Sequence, residues 1–248
     1  MVALFDSYCG YYMAQTSNNL AQDYGISRED QDRFALQSQQ RAAAAWESGK
    51  LEDEIVPVVV GKGKRARTVE RDEHMRSDTT LEGLAKLPTA FGEGGSVTAG
   101  NASGIVDGAA MMILTTAERA KARGAKALGR LVSWAVVGVE PSRMGIGPAP
   151  AIAQALDKAG MELDDVDLIE INEAFAGQIL AVIREMDLDQ EKLNVNGGAI
   201  ALGHPLAATG TRLVLTVLKE LNRRGGGVGI ASACIGGGQG IAMVVETL

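Results

Sequence analysis

The chain has 248 residues, 46% of them hydrophobic and 22% charged, with a formal charge of -7. That length suits one large or two ordinary globular domains, and the acidic balance argues against a general nucleic-acid or membrane-surface binder, which needs a compensating basic patch. Two cysteines (Cys9 and Cys234) and two histidines (His74 and His204), each pair far apart, exclude a disulfide framework and a zinc site. No apolar run is long enough for a membrane span and the start lacks the regions of a signal peptide, so the expectation is a soluble cytoplasmic α/β protein.

Residues 1–19 crowd Leu4, Phe5, Tyr8, Tyr11, Tyr12 and Met13 together without a polar lead-in. Such a segment reads as ordinary core, or else as a pocket wall or an interface. The pattern then predicts a helix over 27–49, with Ser27 as N-cap, Glu29 and Asp30 in the first turn, and Gly49 just past the end. A short strand at Ile55–Val60 carries Pro57, which confines it to an edge. Gly61–Arg67 is the one basic cluster, either a solvated loop or a docking site for an anionic group such as a nucleotide phosphate. A short helix is expected at Thr79–Lys86, a glycine-rich loop at Pro88–Asn101, a buried apolar element along Ser103–Leu114, and an exposed helix at Thr115–Arg123. From there the order is strand (Leu128–Val137), Gly/Pro loop (Gly138–Gly147), helix (Pro148–Ala159), strand (Val166–Ile171) and helix (Phe175–Glu185). A loop with His204, a helix (Ala208–Arg223) and strands Gly227–Ala233 and Gly240–Glu246 complete it. Alternating strands and helices imply a layered α/β domain with a mostly parallel sheet over 125–248, whereas 1–124 offers too few strands for a second sheet.

Three loops fall at the C-terminal side of strands, where open α/β sheets place ligands: Asn172-Glu-Ala-Phe175, the loop of His204, and that of Cys234. A histidine, a thiol and an amide brought together there suit acid–base or thiol chemistry on a carbonyl substrate. The backbone N–H groups of Gly236–Gly238 could line an oxyanion site. Singly, each has a plainer reading: Cys234 as a small hydrophobe, His204 as a hydrogen-bonded loop residue. The Gly236–Gly240 run is not a phosphate loop, since no Lys-Ser/Thr follows.

Asn172-Glu-Ala-Phe-Ala, Asn194-Val-Asn-Gly-Gly-Ala-Ile-Ala-Leu-Gly-His-Pro and Cys234-Ile-Gly-Gly-Gly-Gln-Gly resemble the three C-terminal motifs of the thiolases. Gly25-Ile-Ser-Arg-Glu-Asp-Gln-Asp, Thr98-Ala-Gly-Asn-Ala-Ser-Gly and Val132-Ser-Trp-Ala extend the resemblance over essentially the whole chain. It implies acyl transfer between coenzyme A and a 3-ketoacyl-CoA, by Claisen condensation or thiolytic cleavage, as in fatty acid metabolism. CoA and acyl-CoA would be substrates, with no covalently bound cofactor and no metal. By motif, His204 would activate the nucleophilic thiol and hold the thioester oxygen, Asn172 would fix a water there, and Cys234 would move the α-carbon proton. The Gly236 N–H would belong to a second oxyanion site. Ser103 would touch the pantetheine arm, Met13, Ala90, Phe91 and Phe175 would line its slot, and Arg76 would lie near the adenine.

Two departures concern acyl-chain preference: Tyr12 stands where the family commonly has histidine, and Ala207 where glycine is usual. No Cys-Ser-Ser-Gly-like nucleophile turn occurs, and Cys9 does not match one. The resemblance therefore implies a thiolase-like α-β-α-β-α fold with a loop domain at 1–105, a remnant of the N-terminal domain at 106–124, an otherwise absent N-terminal domain, and a complete C-terminal βαβαβ domain at 125–248. The expected partners are an oligomer with a dimer-like core or a separate nucleophile-bearing chain. A non-catalytic or degenerate CoA-binding subunit is the alternative, and a hydrolase acylated on Cys234 a third reading.

Overall fold

A computed structural model describes residues 4–91 and 94–248. Residues 1–3 of the aromatic start and 92–93 of the glycine-rich loop lie outside the described residues. The second half is a four-stranded sheet in the order β5-β8-β7-β6, built from β5 (Arg130–Gly138), β6 (Leu168–Ile171), β7 (Val228–Ile235) and β8 (Gln239–Glu246). Two of its three pairings are antiparallel and only β6–β7 is parallel, which corrects the expectation of a mostly parallel sheet. The cause is local: Gly237 and Gly238 both take left-handed φ, at 79° and 80°, and turn β7 straight back into β8.

Side chains alternate between the two faces of this sheet. Ile169, Ile171, Ile230, Ala242 and Val244 pack with Ile152, Ala155 and Ile179, from α5 (Pro148–Ala159) and α6 (Ala176–Met186). On the other face Leu168, Ala231 and Val245 meet Leu213, Val217 and Leu221 of α8 (Thr209–Arg223). Helix, sheet and helix thus form three layers, and each predicted helix of this half forms within a few residues of its expected bounds. No helix among the described residues is long and apolar enough to cross a membrane.

The first half is built differently. The aromatic start forms a two-stranded hairpin, β1 (Phe5–Asp6) with β2 (Tyr11–Tyr12), leading into α1 (Met13–Asp23). Helix α2 (Arg28–Glu47) starts as predicted: Ser27 Oγ accepts from the Asp30 N–H at 3.0 Å and Asp30 accepts from the Ser27 N–H at 3.1 Å, a capping box. Strands β3 (Val58–Val60) and β4 (Arg67–Val69) form an exposed ribbon with the basic cluster at its turn. Helices α3 (Leu81–Ala85) and α4 (Ala117–Ala122) are short, as is α7 (Ala199–Leu202) before the His204 loop.

The buried element expected along Ser103–Leu114 is not found. The segment is extended, and Met111, Ile113 and Leu114 are 89%, 86% and 72% exposed. Among the described residues, 105–115 make no backbone hydrogen bond. Met112 does pack toward the α8 face, while Met111 and Ile113 on either side of it face outward. The apolar run reads as core because composition reports how much partner surface a segment needs, not whether the same chain supplies it.

Candidate active site

The Asn172 and Cys234 loops lie at the C-terminal ends of the adjacent strands β6 and β7, and the His204 loop follows α7, tied to the Asn172 loop through residues 103 and 104. Asn172 follows β6 directly, and its N–H donates to the Ser232 carbonyl at 2.9 Å, which continues the β6–β7 ladder. Its side-chain Oδ1 is buried and takes no hydrogen bond from protein, so it is left for a ligand or a water. Phe175 bridges to Ala102, and the Ser103 N–H donates to the Ala174 carbonyl at 3.0 Å. Ser103 and Phe175 are therefore neighbours, as the motif reading implies.

His204 follows Gly203, whose φ of 88° reverses the chain where any side chain would strike Val106. The His204 N–H donates to the Gly104 carbonyl at 2.8 Å, and Nδ1 lies 2.6 Å from Thr209 Oγ1. Thr209, in the first turn of α8, thus occupies one ring edge and leaves Nε2 as the only nitrogen open to chemistry. Burial, helped by the positive field of Arg212, pushes the imidazole down to about 4, so it is neutral at pH 7. Arg212 is itself held 2.9 Å from Glu170, the carboxylate buried and the guanidinium partly so. Burial pushes the Glu170 carboxyl above the usual range while Arg212 pulls it back.

Cys234 lies one residue from the end of β7. The residue as a whole is half-buried, and burial of the thiol pushes it up to about 12. At neutral pH it is a thiol, suited to giving a proton rather than attacking as a standing thiolate. In the turn beyond, the Gly237 N–H donates to Asp6 Oδ2 at 3.2 Å. That removes one of the three donors expected to line an anion site. The Gly236 N–H has no partner among the described residues, and a Cβ at 236 would strike the Met13 methyl, so Met13 abuts this turn. Asp6 also accepts from the N–H groups of Tyr8 and Cys9, at 2.8 and 3.0 Å, so the terminal hairpin is fastened over the Cys234 turn. Tyr12 packs against Phe5 and Phe91 with ring centroids 5.4 and 5.7 Å apart. Ala90 joins this wall through its N–H to the Val97 carbonyl, at 2.8 Å.

Arg76 stands apart. It is exposed, and its backbone bonds run to Gln39 and Thr79. Ala207 is exposed beside the loop and crowds nothing buried. Two surface hollows of about 480 and 430 Å³ contain none of His204, Cys234 and Asn172. We locate the site by its chemistry rather than by these hollows, because the second is an open furrow along Arg67–Ser77. No cluster of His, Cys, Asp and Glu among the described residues could hold a metal ion.

Four supports went unnoticed in the sequence. Glu173, buried at 1% exposure, accepts from Ser38 Oγ (2.6 Å), Asn194 Nδ2 (2.9 Å) and the Ile200 N–H (3.1 Å). Asn194, at a left-handed φ of 45°, also brackets Ile171, accepting its N–H and donating to its carbonyl, both at 2.9 Å. Thr209 and Arg212 act on His204 from α8. Only Asn194 carried a local signal, asparagine being one of the few residues that tolerate left-handed backbone.

Comparison with known proteins accords with this geometry. Residues 1–118 match the family model described as thiolase, N-terminal domain, and 125–247 that described as thiolase, C-terminal domain. The chain is 50% identical to an acetyl-CoA acetyltransferase of Shinella zoogloeoides over 245 residues, covering 99% of this chain and 62% of the relative. It is 52% identical to the human mitochondrial 3-ketoacyl-CoA thiolase over 246 residues, with the same coverages. The Bacillus anthracis acetyl-CoA acetyltransferase superposes with a TM-score of 0.96 at 49% identity, over 99% of this chain and 62% of that one. The human mitochondrial thiolase in complex with CoA gives 0.92 at 48%, over 100% and 62%. The chain thus spans 62% of the length of the curated relatives it matches. Because the N-terminal model covers the whole of 1–118, the expectation of a largely absent N-terminal domain is not confirmed. Both halves of the sequence, and the fold, place the chain in the thiolase family.

Proposed function

We propose that the chain carries the acid–base and CoA-facing part of a thiolase-type acyltransferase, acting between coenzyme A and a 3-ketoacyl-CoA. The observation that carries this reading is the pair in the His204 and Cys234 loops: a neutral imidazole with only Nε2 free and a thiol held protonated by burial. In cleavage, Nε2 takes the proton of the attacking thiol, and that thiol bonds to C3 of the substrate. The C2–C3 bond breaks and its electron pair passes to the thioester enolate. Cys234 protonates C2, releasing acetyl-CoA, and the thiolate left behind takes the proton of the incoming CoA thiol as CoA accepts the acyl group. The protonated Nε2 is then a donor to the thioester oxygen, beside the amide of Asn172 and any water it holds. The free Gly236 N–H serves the second oxyanion.

Met13, Ala90, Phe91, Phe175 and Tyr12 form the apolar slot, with Ser103 on the pantetheine arm and Arg76 at the adenine end. The exposed alternation of 105–114 and the coverage of the relatives support a nucleophilic thiol contributed by thiolase polypeptide outside these 248 residues. The division at 105, 124 and 125 follows the same reading, with 1–105 the CoA-binding loop domain and 106–124 one strand and helix of the N-terminal domain. The test is thiolysis of a 3-ketoacyl-CoA by the chain, alone and with the remaining thiolase polypeptide supplied. Turnover is expected only in the second case, and lost with His204→Ala. Turnover by the chain alone, abolished by Cys9→Ala, would overturn the reading.

A further inference from the structure

The other histidine, His74, takes no part in the proposed reaction, yet it is built into the support of the one that does. It lies between β4 and α3, half-buried, with its ring against Gly104: a Cβ at 104 would overlap the imidazole. The ring also faces the Ile200 carbonyl of α7, which favours a ring N–H directed there. Gln39 strengthens the same junction. Its Nε2 reaches the Ile200 carbonyl at 3.4 Å and its Oε1 accepts the Arg76 N–H at 2.8 Å. On its far side Gly104 is the residue whose carbonyl accepts the His204 N–H, at 2.8 Å.

We infer that His74 is a positioning residue for His204: its ring clamps the Gly104 peptide, and that peptide fixes the backbone from which the His204 imidazole projects. The arrangement explains why 104 is glycine at a position with no left-handed φ, since the space a Cβ would need is filled by the ring. It accommodates a half-buried histidine whose imidazole is pushed below its usual pKa by burial and by the nearby charge of Arg76. It also joins two regions that the sequence separates, because Arg76, two residues on, then sits on the same loop that steadies the chemistry. The role of His204 in turnover rests on the proposed function, whereas its geometry does not.

The chain has only two histidines, so long-range 15N–1H spectra of the 248-residue protein resolve both rings, and variants at 74 leave His204 alone in the spectrum. His74→Ala is expected to move the His204 ring resonances and to replace one tautomer pattern by a mixture. His74→Phe, which keeps a flat ring on Gly104, should leave them near their original positions. Gly104→Ala should disturb His204 in the native background and less so combined with His74→Ala, where the Cβ has room. In the complemented enzyme, His74→Ala should lower kcat by about tenfold or more, with KM little changed. His204 resonances indifferent to His74→Ala, with Gly104→Ala equally disruptive in both backgrounds, would overturn the inference. If the spectra respond and no complemented enzyme turns over, the positioning role stands and the proposed function fails.

Discussion

The two halves of the chain use similar apolar runs to opposite effect. In 125–248 helices cover the inner faces of the strands, and Ile171, Leu213, Leu221 and Ile230 are all but inaccessible, although Trp134 and Val136 on the outer face of β5 are 58% and 54% exposed. Between 105 and 114 an equally apolar run lies open, and in β3 the valines 58–60 are 55%, 68% and 38% exposed. The difference lies in what each run can reach. A face covered by a helix of the same chain is buried, whereas a face that none of the described residues covers stays exposed however hydrophobic it is.

That contrast can be broken most sharply at Glu220. It is 3% exposed and joins Lys50 (3.1 Å), Asn196 (3.0 Å), Arg223 (2.7 Å) and Arg224 (3.0 Å). Glu220→Ala leaves this cluster without its anion, so denaturant unfolding should show a loss of about 3–5 kcal/mol. Leu213→Ala, in the α8 layer, should cost about 2–5 kcal/mol. Thr209→Val removes the partner of His204 Nδ1 and should lower kcat in the complemented enzyme by about a hundredfold, with the pH profile altered. At the other extreme, Ile113→Lys should change stability by less than about 0.5 kcal/mol, while weakening association with added thiolase polypeptide in sedimentation.

The pH dependence follows from the same half. Burial would raise the Glu220 carboxyl, but its four partners outweigh burial and hold it at about 2. The stability it contributes is therefore present above the ordinary carboxylate range and is lost as pH falls toward 2. His204 acts in the same direction by the opposite route: held near 4 against an ordinary value of 6.5, it binds fewer protons folded than unfolded in that window. Stability thus falls on acidification from 6.5 to 4, and His204→Gln should flatten that slope in thermal unfolding followed against pH.

What the sequence made legible follows the same boundary. The Ser27 cap, the helices of the second half and the placing of Asn172 and Cys234 at the ends of β6 and β7 depend on neighbours close in sequence or on period. The exposed run at 105–114 and the antiparallel majority of the sheet depend on which surfaces meet. The supports of His204 come from distant stretches as well: Thr209 is near it, but Gly104, Val106 and His74 approach from the first half. Motif resemblance singled out the candidate groups, and apart from Asn194 no local pattern announced what surrounds them.

The measurement that tests the central claim most directly is the site of acylation. The chain, with and without the remaining thiolase polypeptide, is mixed with a 3-ketoacyl-CoA, quenched, digested and mapped by mass spectrometry. The account predicts no acyl group on Cys234 or Cys9 in either case, and a thioester on a residue outside these 248 when the complement is present. An acyl group on Cys234 would contradict it, making that thiol the nucleophile rather than the proton carrier.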